Sequence, residues 1–169
     1  ELITQLGRGR SPADELLRIQ VERARTPDGT EAALMLDLEW TLARVDAIGE
    51  AAAEAEIDRL WRSAPTFEQH RAVALTTIDR AVHHDWGRLL YTFGRRWLED
   101  VPEEHVERKY AEALFAEVML ERAYVERRRG QSVRALFREI TERTTSLEAH
   151  IGYIDASLIE GVEPSAIRT

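Results

Sequence analysis

The sequence predicts an all-α protein: an up-down-up-down antiparallel bundle of four long helices preceded by a short N-terminal helix. Three observations carry this expectation. Apolar residues recur at three- and four-residue spacing along most of the chain. Proline-containing stretches separate long runs of helix-compatible sequence. No segment alternates apolar and polar residues as a half-buried strand would.

The elements follow from the punctuation. In "SPADELL", Ser11 stands at an N-cap and Pro12 at the first helical position, with acids in the first turn, so a short helix runs over about 12–25. "TPDGT" ends it, and Thr30 caps a long helix over about 31–62 that holds one glycine and no proline. "SAPT" breaks the chain again, and Thr66 caps a second long helix over about 67–98. "EDVP" leads to a third over about 102–129, which Gly130 ends as a left-handed residue. Ser132 caps the fourth, over about 133–160, and Gly161 closes it.

Each long helix carries one wide apolar stripe. The first has Leu34, Leu38, Leu42, Val45, Ala52 and Leu60. The second has Leu75, Ile78, Val82, Leu89 and Phe93, widened by Trp86 and Trp97. The third has Ala111, Leu114, Val118 and Val125, and the fourth has Val133, Ile140, Leu147, Ile151, Ile154 and Leu158. Short links force antiparallel neighbours, so the four rods form a single domain over residues 1–169. The short middle link and the absence of paired Glu-x-x-His motifs argue against a ferritin-like di-iron bundle.

Composition narrows the function classes. The 169 residues are 44% hydrophobic and carry a formal net charge of −8, a poor balance for generic nucleic-acid binding. Without cysteine there is no disulfide framework, thiolate nucleophile or Cys-ligated metal, and a cytoplasmic location is expected. No apolar run is long enough to suggest a membrane span, and the first residues show no basic-then-apolar pattern. The chain opens on Glu1 rather than Met, as a segment of a longer protein would. Arginine outnumbers lysine 22 to 1, read as codon bias rather than as a functional signal.

Three groups of residues are candidates for function. The stretch "DRAVHHDWGRLL" (79–90) contains adjacent histidines, but on a continuous helix they point apart, leaving Asp79 and His83 as one pair. Counting turns from the loops puts Asp46, Glu117, Glu121 and Thr144 at the height of His83. Asp46, Asp79, His83, Glu117 and Glu121 then form a carboxylate–histidine set suited to a metal. Charged side chains are mostly exposed, so the favoured reading of the same groups is solvated stripe edges paired with Arg80 or Arg122. The second candidate is "ERRRGQS", where Arg127, Arg128 and Arg129 beside a helix start could take an anion, or merely complement a helix C-terminus. The third is Leu36, Trp40 and Tyr91, apolar positions off the main stripes. They call for a second contact surface such as a dimer partner, with the 12–25 helix the simplest cover for Trp40.

No P-loop, Gly-x-Ser-x-Gly elbow or His-Glu-x-x-His motif occurs, and no cofactor is specified. The expected function is a non-enzymatic regulatory, sensory or protein-interaction module, working as a homodimer or with a protein partner. The alternative is a metal- or cofactor-binding bundle built on the five-residue set, including a non-haem metal enzyme.

Overall fold

The structure, a computed structural model, describes residues 12–163 and 167. Among these the chain is helical without strands. The elements are α1 (Pro12–Arg25), α2 (Glu31–Leu42), α3 (Val45–Ile48), α4 (Glu50–Ser63), α5 (Phe67–His84), α6 (Gly87–Asp100), α7 (Arg108–Arg128), α8 (Arg134–Arg143) and α9 (Leu147–Ile159). No helix among the described residues is long and apolar enough to cross a membrane.

Several expected ends are observed. Thr30 caps α2 by accepting the Ala33 N–H at 3.1 Å, and Thr66 accepts the Gln69 N–H at 3.3 Å. Gly130 has φ 74°, with Gln131 N–H bonded to Glu126 O and Gly130 N–H to Arg127 O, both at 3.0 Å. That is the Schellman pattern, which satisfies the last carbonyls of α7. Ser11 and "GRGRS" lie outside the described residues.

The expected long helices are interrupted, with one exception. The 31–62 rod is divided twice, and Gly49 is the sharper break. Its φ of 84° and ψ of 151° form a conformation essentially restricted to glycine, and it both ends α3 and starts α4. The 67–98 rod breaks at Asp85, which adopts φ 57°, a left-handed geometry that a short polar side chain tolerates. Trp86 N–H reaches back to Ala81 O at 3.0 Å, and the Trp86 indole is buried. The 133–160 rod breaks at Thr144, extended at φ −141° and ψ 164°. Ser146 then begins α9 by accepting the Ala149 N–H. The third helix is unbroken but starts at Arg108. Pro102 through Glu107 form turns, with His105 N–H on Pro102 O and Arg108 N–H on His105 O. Ser132 does not cap α8. Val133 holds that position, and the Ser132 hydroxyl bonds the Glu160 carboxylate instead.

Contacts divide the chain into two compact units, meeting between Arg80 and Ala81. In the first, α2 packs on α1 and α4, and α3 packs on α4. Arg18 of α1 pairs with Glu15 and Glu22 on its own helix and reaches Glu39 on α2 at 3.2 Å. Arg23 reaches Asp37 at 2.8 Å. In the second unit α6 packs on α7, α7 on α8, and α8 on α9. Phe93, Trp97, Phe115, Met119, Phe137 and Ile140 are fully buried there. Arg108 ties the α6–α7 link together: its Nη1 donates to Leu98 O and Val101 O, both at 2.9 Å, while its Nε donates to Glu112.

Candidate functional site

Helix α9 is apolar on two opposite faces, and among the described residues only one of them is covered. The covered face buries four small residues, Ala149, Gly152, Ala156 and Ser157, together with Tyr153. The Phe137 ring of α8 lies against this face at Gly152. A β-carbon at position 152 would come within 2.4 Å of Phe137 Cε1, closer than packed atoms come. The opposite face is large and open. Leu147 is 74% exposed, Ile151 59%, Ile154 38% and Leu158 49%. Their spacing of four, three and four residues places all four within an arc of about 60°.

This corrects the stripe drawn through the fourth helix. Val133 and Ile140 are buried as expected, whereas Leu147, Ile151, Ile154 and Leu158 point outward. The break at Thr144 resets the helical phase, so periodicity carried through it assigned the wrong face of α9 to the core. A signal was present in the sequence. Ala149, Gly152, Ala156 and Ser157 also keep helical spacing, a second stripe of small residues opposite the first.

The carboxylates beside the open stripe are engaged within the unit. Tyr124 Oη donates to Glu148 at 2.7 Å, and Arg127 Nη2 donates to Asp155 at 2.6 Å. The bond to Glu148, reinforced by partial burial, holds the Tyr124 phenol proton above its ordinary range. An open groove of about 820 Å³ adjoins the start of α9, floored by Ala113, Ala116 and Leu120 of α7 and rimmed by Glu117, Glu121 and Glu148.

The other sequence candidates fall as follows. Glu117 and Glu121 do meet at this groove, and Thr144 lines it as well. Asp46 and Asp79 belong to the first unit, His83 to the second, and all five carboxylate and histidine candidates are exposed. Among the described residues no group of three or more His, Asp or Glu side chains is placed to hold a metal ion. Asp79 and His83 remain one turn apart on α5. His84 is exposed and stacks on the Trp86 indole at 4.6 Å with 14° between the planes. The helical wheel missed this contact because the chain turns between them.

Of the three arginines, Arg127 is held by Asp155 and Arg129 by Glu126, while Arg128 is exposed. Carboxylates thus already occupy two of the cations expected to take an anion. Trp40 lines a cleft of about 330 Å³ with Ile19, Arg23 and Ala24 of α1, and Arg44 lies 5.2 Å from its ring centroid. Helix α1 lines the other side of this cleft, and Trp40 stays half-buried. Leu36 is half-buried on α2. Tyr91 is half-buried in its own unit, with Arg122 4.3 Å from its ring centroid and its hydroxyl 3.3 Å from Glu139.

No protein-family model, curated protein or solved structure matches the chain.

Proposed function

We propose that this chain is a non-enzymatic regulatory or sensory interaction module that works as a homodimer. The observation that carries the reading is the open face of α9. A helix apolar on both faces belongs inside a globular protein, and here the core of its own unit, among the described residues, covers one face. Four large aliphatic side chains in one exposed stripe form a contiguous patch of the kind that marks a protein interface. The net charge of −8 favours a protein partner over a nucleic acid. Size-exclusion chromatography with light scattering tests the reading. The expected mass is twice the 19.4 kDa of one chain, and 19.4 kDa at every concentration would overturn it.

A further inference from the structure

We infer that the homodimer is closed by α9 lying antiparallel against α9 of a second copy. The inference rests on the homodimer reading and adds the surface and register that make it.

The stripe is palindromic. Leu147, Ile151, Ile154 and Leu158 read Leu, Ile, Ile, Leu at spacings of four, three and four, the same in either direction. A two-fold axis between Ile151 and Ile154 seats Leu147 on Leu158 of the second copy and Ile151 on its Ile154. Every large side chain then meets another, and the interface is self-complementary as two-fold symmetry requires. The alternation of four and three is also the seam spacing of packed helix pairs. Exposure supports the antiparallel sense: the more open member of each pair (74% for Leu147, 59% for Ile151) meets the less open one (49% for Leu158, 38% for Ile154).

The four side chains of two such faces would remove somewhat less than about 1,000 Å² from water, the size of a weak, concentration-dependent interface. Glu148 and Asp155 flank the stripe and are bonded to Tyr124 and Arg127, which keeps both carboxylates at its solvated edge. An apolar helix of matching spacing is what fits, and the second copy supplies one.

The chain lacks cysteine, so an introduced cysteine reports on the seam without background. The experiment oxidises Ile151→Cys alone, Ile154→Cys alone and an equal mixture of the two. Light scattering runs in parallel over ~10 to ~500 µM, a range suited to a small interface. A cross-linked dimer in the mixture and in neither variant alone is the expected result. The double variant Ile151→Glu/Ile154→Glu should run as a 19.4 kDa monomer with unchanged helical circular dichroism. Cross-linking of Ile151→Cys by itself would overturn the antiparallel register. A dimer that forms no cross-link and survives the double glutamate substitution would overturn α9 as the seam while leaving the homodimer standing. A monomer throughout would overturn both.

Discussion

The ring of Phe137 rests directly on Gly152, leaving no room for a side chain: a β-carbon there would fall 2.4 Å from Cε1 and 2.7 Å from Cδ1 and Cζ. Phe137 is fully buried and its ring is rigid, so it cannot yield as the tip of a flexible side chain would. Gly152→Ala should destabilise the protein by about 1–3 kcal/mol despite the better helix propensity of alanine. Urea unfolding checks this; an unchanged or raised midpoint would contradict the close approach of α8 and α9.

The two faces of α9 should respond in opposite ways to a change of size. Ala149 is fully buried, and Ala149→Leu should cost about 1–3 kcal/mol by overpacking. Ile151→Ser removes apolar surface, but from an open face, and should shift the stability of the monomer by no more than about 0.5 kcal/mol. Thermal unfolding at low protein concentration separates the two. Equal losses would mean that the large residues, and not the small ones, are core.

Arg108 is the only donor drawn to two carbonyls at the end of α6 among the contacts described for that link. Arg108→Ala leaves Leu98 O and Val101 O without that partner and should cost about 1.5–3 kcal/mol, as for other bonds to charged groups. Arg108→Lys should not restore it, because a single ammonium lacks the guanidinium fork that serves Glu112 and the carbonyls together. Chemical denaturation of both variants decides the point.

The Tyr124–Glu148 bond predicts a pH dependence. The folded phenol is raised above its unfolded value because the proton is shared with a carboxylate. The stabilisation is therefore fully present below the ordinary tyrosine range, about pH 10, and is lost as pH rises through the higher folded value. Difference titration of phenolate absorbance should show one tyrosine ionising late in the native protein and earlier in Glu148→Gln. Identical curves would show that the bond does not form in solution.

Much of the local architecture is written in short-range chemistry. Thr30 and Thr66 cap helices, Gly130 ends α7 and α1 spans Pro12–Arg25, because each of these depends on a few adjacent residues. The breaks were harder to read. Gly49 stands alone in helix-compatible sequence, yet it adopts φ 84°. Asp85 has no helix-breaking composition, and it turns left-handed where Trp86 enters the core. Thr144 and Ser146 do not forbid a helix; they merely offer hydroxyls to an interruption.

The candidate site divides along the same line. The sequence by itself determined that α9 would be helical and that Leu147, Ile151, Ile154 and Leu158 would share a face. It also determined that small residues would occupy the opposite side. Only the tertiary structure decided which face went inside. Hydrophobicity alone favours burying the larger side chains, but Phe137 needs a neighbour without a β-carbon, and Gly152 supplies it from the small face. Shape at a single contact outweighed the size of the stripe, and four aliphatic side chains were left facing outward.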